Sequence, residues 1–229
     1  MKPFIDPYEG SLENRPHPAK FSDCLLPVIK ELIPEGTEWI TDPMAGIGKI
    51  TLLGSNFKYQ CNEIEPEWAS QIKAQIVTAK DAKALKLVER TVIITSPPYG
   101  NRMADCFITK RPSSMKGRYA GDLGRRLSEG SSASLAFGNK YKALMTEIYT
   151  SLFEQMNEGQ VFILNASNFI RDKKEVNVIG FYLELFSQKG FTLDDFKTVK
   201  TPRDRGRGAN SKLRVSFEVL MKWRKLNAL

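Results

Sequence analysis

From residue 18 to residue 33 the apolar side chains fall at Phe21, Leu25, Leu26, Ile29, Leu32 and Ile33, a spacing of three and four that predicts a helix. Pro18 suits its first turn, and Pro27 predicts a bend further along. After the break at "PEGT" the pattern changes to short apolar runs that end in polar residues. The runs "EWIT", "FKYQCNEI", "AQIVTAK" and "RTVIIT" predict four strands. Between them stand segments with helical character: one beginning near Gly48 with "KITLLGS", a short one at "EPEWASQIK", and a turn at "DAKALKLV". The longest periodic stretch, "NKYKALMTEIYTSLFEQMNEG", predicts a helix from Asn139 that ends at Gly159. A buried strand follows at "QVFILNAS", then a helix at "VNVIGFYLELFSQKG" closed by Gly190, and a strand at "FTLDDFKTVKT". The alternating run "RVSFEVLMKW" predicts a last strand, antiparallel to its predecessor. Residues 1–17 read as an arm and 18–229 as one domain. Residues 101–138, rich in Gly, Ser and Arg, lack a period and are expected to form a long loop.

Strand and helix alternate through the chain, which predicts an α/β fold: a mostly parallel sheet of seven strands, antiparallel at its last strand, with helices on both faces. Ligands of such sheets bind at the carboxyl ends of the strands. The polar residues of interest stand there: Asp42 after the first strand, Glu63 after the second, Asp81 after the third, and Ser96 to Tyr99 after the fourth.

Composition narrows the class. The chain has 229 residues, 41% hydrophobic and 26% charged, as in ordinary globular proteins. It contains no apolar run of membrane-spanning length, and "MKPFIDPYEG" lacks a signal-peptide core, so a cytoplasmic protein without a membrane partner is expected. Cys24, Cys61 and Cys106 are scattered, and His17 is the sole histidine, expected at the surface. With so few soft ligands, neither a metal site nor a histidine general base is expected. The net charge of +8 is concentrated. Residues 101–140 hold eight Lys/Arg against three Asp/Glu, and residues 197–214 hold seven against one. Two such segments beside a near-neutral body fit a phosphate-binding footprint. Its candidates are Arg102, Lys110, Arg111, Lys116, Arg118, Arg125, Arg126, Arg203, Arg205, Arg207, Lys212 and Arg214.

The turn "DPMAGIGK" joins a strand to a helix through glycines, which lets a ligand approach the backbone. It is not a phosphate loop, since Pro43 and Ile50 stand where that pattern needs Gly and Ser/Thr. Asp42 would repel a pyrophosphate and suit an ammonium or sulfonium. Glu63, about 20 residues on, stands where such folds bind a ribose. Asp81 could accept from an adenine amino group. Cation, ribose and adenine together describe S-adenosylmethionine.

The set "HPAKF" (17–21), "DPMAGIG" (42–48), "NEIEPEW" (62–68) and "TSPPYG" (95–100) resembles the S-adenosylmethionine-dependent DNA amino methyltransferases, the N4-cytosine and N6-adenine group. The resemblance spans roughly residues 16–223 and implies the Rossmann-like methyltransferase fold. It implies a cofactor pocket of Lys20, Phe21, Asp42, Pro43, Met44, Gly46, Gly48, Glu63, Ile64, Asp81 and Ser96. It implies a catalytic turn of Ser96, Pro97, Pro98 and Tyr99, with DNA, single- or double-stranded, as partner.

An exocyclic amino nitrogen is conjugated with its ring and is a weak nucleophile. Acceptors for both its protons, Ser96 Oγ and the Pro97 carbonyl, would turn its lone pair towards the methyl. The prolines fix that carbonyl beforehand. Tyr99 would stack on a base turned out of the helix. Methylation at C5 of cytosine needs a cysteine nucleophile, which that family carries after proline, and the chain has no Pro-Cys. Serine at position 96 favours N4 of cytosine over N6 of adenine. No insertion is large enough for a separate recognition domain, so RNA stays open as a substrate (guanine-N2 enzymes use related sites). Two further alternatives are a protein glutamine methyltransferase and an inactive nucleic-acid-binding relative.

Overall fold

The computed structural model describes His17, residues 22–100, residues 119–201, Leu213 and residues 215–226. Nine strands and five helices occur among these residues. In chain order they are α1 (Leu25–Leu32), β1 (Trp39–Asp42), β2 (Lys58–Asn62), α2 (Pro66–Ala69), β3 (Ile76–Thr78), β4 (Thr91–Thr95) and α3 (Tyr119–Leu123). There follow α4 (Asn139–Gln155), β5 (Val161–Ala166), β6 (Phe169–Arg171), β7 (Lys174–Val176), α5 (Val178–Gln188), β8 (Phe191–Lys200) and β9 (Phe217–Lys225).

Seven strands form one sheet in the order β3-β2-β1-β4-β5-β9-β8. The pairs from β3 to β5 are parallel, while β9 runs antiparallel to both β5 and β8. This is the expected sheet. The order reverses between β1 and β4, and at that switch point neighbouring loops leave in opposite directions and open a crevice. β4 and β5 are buried at every residue, as central strands covered on both faces must be. One face packs on α4 and α5, with Tyr149, Phe153, Phe162, Phe186 and Trp223 in a shared aromatic cluster. The other carries Leu25, Ile29 and Leu32 of α1 against Ile40, Val92, Ile94 and Ile163.

Several local expectations are revised. The first helix begins at Leu25, which puts Pro27 in its first turn, where a missing N–H costs no helical bond. The segment after Gly48 is a 3-10 helix, Lys49–Leu53, because Gly48 and Gly54 both adopt positive φ and leave room for little more than a turn. The stretch 101–138 is not loop throughout: Tyr119–Leu123 is helical and Ser132–Ala133–Ser134 a 3-10 turn. The hairpin β6–β7 carried no glycine signal, since its two turn residues are Asp172 (φ 50°) and Lys173 (φ 62°). Both hold a left-handed conformation, which aspartate tolerates and lysine resists. Lys173→Gly should therefore raise stability, by up to about 1 kcal/mol, read as a higher denaturant midpoint with an unchanged slope.

Candidate active site

At the carboxyl ends of the parallel strands lies a cavity of about 270 Å³, near the small end of ligand-binding clefts. Pro43, Met44, Ala45, Gly46 and Ile47 line it from the β1 side, Asn62, Glu63 and Ile64 from β2, and Ser96 to Tyr99 from β4. The glycine loop and the proline turn therefore face one space. Asn62 ties the three adjoining loops together. Its Nδ2 donates to the Pro43 and Lys80 carbonyls, both at 3.0 Å, and its Oδ1 accepts from Thr78 Oγ1 at 2.7 Å.

Glu63 is the deepest charged group of the wall. Its Oε2 accepts the Gly46 N–H at 2.9 Å and its Oε1 the Glu65 N–H at 3.0 Å. Gly46 has φ 56°, and a Cβ there would meet the His17 ring at 3.1 Å, so glycine alone suits both the backbone and the space. Burial pushes the Glu63 carboxyl up to about 8, against the lowering effect of those two N–H groups. Each carboxylate oxygen keeps a second lone pair for a donor entering the cavity. A vicinal diol is such a donor.

Asp42 does not line the cavity. It is 1% exposed and sits under the loop, where Oδ1 accepts the Met44 N–H at 3.0 Å and the Thr95 hydroxyl at 2.8 Å. Oδ2 is buried without a hydrogen-bond partner, and burial pushes the carboxyl up to about 7. Asp42 thus fixes the exits of β1 and β4 instead of facing a cation. Gly48 is also outside the wall, where an added Cβ would meet Ile72 at 2.7 Å. Asp81 accepts the Lys83 N–H at 3.0 Å, and its carboxylate lies against Gly130, which lines the cavity with Lys80 and Ala82.

The opposite wall comes from residues the sequence did not single out. Tyr119 and Gly130 to Ala133 close over the cavity, and Trp68 and His17 pack against Tyr119. His17 is half-buried and not simply a surface residue: its ring meets Trp68 edge-on at 4.4 Å and lines the cavity beside Gly46. This wall is held by Glu65, which is fully buried. It accepts from Ser128 N–H at 2.8 Å, from Ser128 Oγ at 2.9 Å and from Arg125 at 2.8 Å. Arg125 also forms a two-pronged pair with Glu67. Its guanidinium is 37% exposed but already held by two carboxylates, which compete with any phosphate. Arg126 is exposed. Lys20, Phe21, Arg102, Lys110, Arg111, Lys116, Arg118, Arg203, Arg205, Arg207, Lys212 and Arg214 lie outside the described residues.

The turn Ser96–Gly100 is gripped from several sides. Tyr141 donates its hydroxyl to the Pro98 carbonyl and accepts from Tyr182 at 2.7 Å. The Gly100 carbonyl accepts from Phe137 N–H at 3.0 Å and from Arg171 at 2.8 Å. Ser96 Oγ lies 3.0 Å from the Tyr99 hydroxyl. Asn165 of β5 contacts Ser96 and Tyr99, and Glu218 of β9 lines this end of the cavity.

Comparison with solved structures places the chain in the fold of S-adenosylmethionine-dependent methyltransferases. A SAM-dependent methyltransferase of Methanosarcina mazei is 12% identical and aligns with a TM-score of 0.53 over 88% of this chain and 98% of its own. Precorrin-6y C5,15-methyltransferase of Geobacter metallireducens is 12% identical, with a TM-score of 0.52 over 97% of each chain. The N-methyltransferase NodS of Bradyrhizobium japonicum, solved with S-adenosyl-L-homocysteine, is 11% identical, with a TM-score of 0.52 over 94% of this chain and 95% of its own. No protein-family model matches the sequence, and no curated protein matches it. No helix among the described residues is long and apolar enough to cross a membrane.

The two raised carboxyls fix a pH dependence. Asp42 and Glu63 hold their protons up to about pH 7 and about pH 8, whereas the unfolded chain releases them near 3.8 and 4.5. Across that window the folded state binds more protons, so these groups make stability fall as pH rises. Glu63→Gln should flatten the decline. Thermal melts of the two proteins should diverge in the variant's favour between about pH 5 and about pH 8.

Proposed function

We propose that this protein transfers a methyl group from S-adenosylmethionine to an exocyclic amino nitrogen of a base turned out of DNA, with N4 of cytosine preferred over N6 of adenine. The observation that carries the reading is that the glycine loop Pro43–Ile47 and the turn Ser96–Tyr99 line one cavity, beside a buried carboxylate with spare lone pairs. Donor and acceptor of a methyl group need that adjacency.

The bound cofactor supplies an electrophilic methyl on a sulfonium. Glu63 would hold the ribose hydroxyls through its free lone pairs, and ionisation of its carboxyl would be favoured by those donors. The edge formed by Ile64, Lys80 and Ala82 would meet the adenine, with Gly130 to Ala133 opposite it. Trp68, Tyr119 and His17 exclude water from the side nearest the glycine loop. Asp42 acts indirectly in this scheme, by fixing Met44 and Thr95.

At the other end, Ser96 Oγ and the Pro97 carbonyl accept the two protons of the incoming amino group. Two fixed acceptors withdraw the nitrogen lone pair from conjugation and aim it along the line of transfer. The contacts of Tyr141 with Pro98, and of Arg171 with Gly100, hold that turn without help from the substrate. Arg126 and the basic residues of 101–118 and 202–214 would supply the phosphate contacts, and Arg125 would not. RNA bases and protein side chains are the competing substrates, and one assay separates them.

Incubation with tritium-labelled cofactor and either DNA or RNA, followed by digestion to nucleosides, should give label in N4-methyldeoxycytidine. Label confined to RNA nucleosides or to protein would overturn the substrate, and label at C5 of cytosine would overturn the chemistry.

A further inference from the structure

Tyr119 opens α3 on the wall that closes over the cavity, and it is 4% exposed. Packing fixes its ring. Trp68 meets it edge-on at 5.9 Å and His17 at 5.4 Å, and Leu123, Ala133 and Ile47 complete the cluster. Ile47 belongs to the glycine loop, so the ring is tied to that loop. The hydroxyl is different: it makes no hydrogen bond to any group among the described residues. Other buried tyrosines commit theirs. Tyr59 donates to the Gly54 carbonyl at 2.7 Å, and Tyr182 and Tyr141 form a chain that ends on Pro98. Tyr149 has an unpartnered hydroxyl too, but one sealed in the aromatic core. Tyr119 instead lines the cavity. A buried hydroxyl without a partner lowers stability, and phenylalanine would pack as well. On a cavity wall, such a hydroxyl implies a ligand that completes it.

Glu63 shows which part of the ligand that is. Its carboxyl is near enough to act on the Tyr119 hydroxyl: burial first, and then the Glu63 charge, push that hydroxyl above its ordinary range. The hydroxyl therefore keeps its hydrogen and is available as a donor. Yet the two groups do not bond to each other. Glu63 Oε1 and Oε2 hold the Glu65 and Gly46 N–H groups, the packed ring keeps the phenol off the carboxylate, and both residues line the cavity. A vicinal diol has two hydrogens to donate and oxygen lone pairs that call for donors. An ionised Glu63 takes the hydrogens and has none to return. Tyr119 supplies the missing donor.

We propose that Tyr119 is the second ribose-binding residue of the cofactor site, its hydroxyl donating to one oxygen of the diol whose hydrogens Glu63 accepts. The inference rests on the S-adenosylmethionine reading above. Carboxylate and phenol then clamp one sugar from two segments far apart in the chain. Glu65 ties the Tyr119 segment down through Ser128 and Arg125, so the donor is in place before the ligand arrives. The clamp selects an intact ribose, because a sugar without the oxygen that Tyr119 meets leaves the phenol unpaired. Tyr119 is then more than a lid that excludes water.

Melting curves without ligand, and calorimetric binding of S-adenosylhomocysteine and its 2′-deoxy and 3′-deoxy analogues (by competition where weak), test the clamp on wild type and Tyr119→Phe. The hydroxyl holds nothing in the fold, so Tyr119→Phe should melt no lower than wild type. It should bind S-adenosylhomocysteine about 3- to 10-fold more weakly. For the analogue lacking the contacted oxygen, wild type and variant should bind alike, while the deficit should persist for the other. Equal affinity of the two proteins for S-adenosylhomocysteine overturns the clamp, and so does a deficit of one size for all three ligands. Either result leaves the cofactor reading standing. A variant that melts well below wild type, or fails to fold, assigns the hydroxyl to the fold and overturns the clamp as well. Wild type that binds no S-adenosylhomocysteine overturns the cofactor reading and the clamp together.

Discussion

Two carboxylates, Glu63 and Glu65, turn inward from one loop and hold opposite walls of the same cavity. Glu63 binds the Gly46 N–H and so sets the glycine loop against the end of β2. Glu65 binds Ser128 and Arg125 and so folds the segment 119–134 over the top. Burying one acid without donors costs several kcal/mol, and burying two within three residues would cost more. The loop is stable because each acid finds its donors on a different segment, and those segments are thereby brought to face each other. The cavity between them is a consequence of that pairing. Burial holds the Glu63 carboxyl well above its ordinary range, against the lowering effect of its two N–H donors.

The second half of the site depends on strand direction. Parallel strands deliver only their carboxyl ends to this rim, which is why the glycine loop, Glu63 and the proline turn gather there. Insertion of β9 between β5 and β8 brings an amino-terminal end to the same place. Glu218 reaches the proline turn by this route, 119 positions away from Tyr99 in sequence. Prolines stiffen the turn from within, and Tyr141 and Arg171 brace its carbonyls from outside.

The sequence made the alternation of elements plain because short apolar runs ending in acid or proline leave few other interpretations. Ser96 to Tyr99 and Gly46 were readable because proline pairs and positive-φ glycines constrain the backbone locally. Asp42 lies beneath the loop and not in the cavity wall: an acid at a strand end can face the ligand or turn beneath the loop, and spacing does not distinguish the two. Arg125 looked like part of a basic patch, since its acidic partners lie 58 and 60 positions earlier. Tyr119, Trp68, Asn165 and Glu218 had no signal of their own. Their roles arise from long-range pairing, and a lone His17 between Pro16 and Pro18 gave no hint that its ring would fill space next to Gly46. The turn of β6–β7 escaped notice because it has no glycine and Lys173 adopts a conformation that its residue type resists.

The central claim is that the cavity behind Glu63 is a site for an adenosyl cofactor whose ribose that carboxylate holds. Calorimetric titration with S-adenosylhomocysteine tests it directly. Wild type should bind one molecule per chain, and Glu63→Ala, shown by its melt to be folded, should lose that binding. Absence of binding to wild type, or equal affinity in Glu63→Ala, would contradict the account.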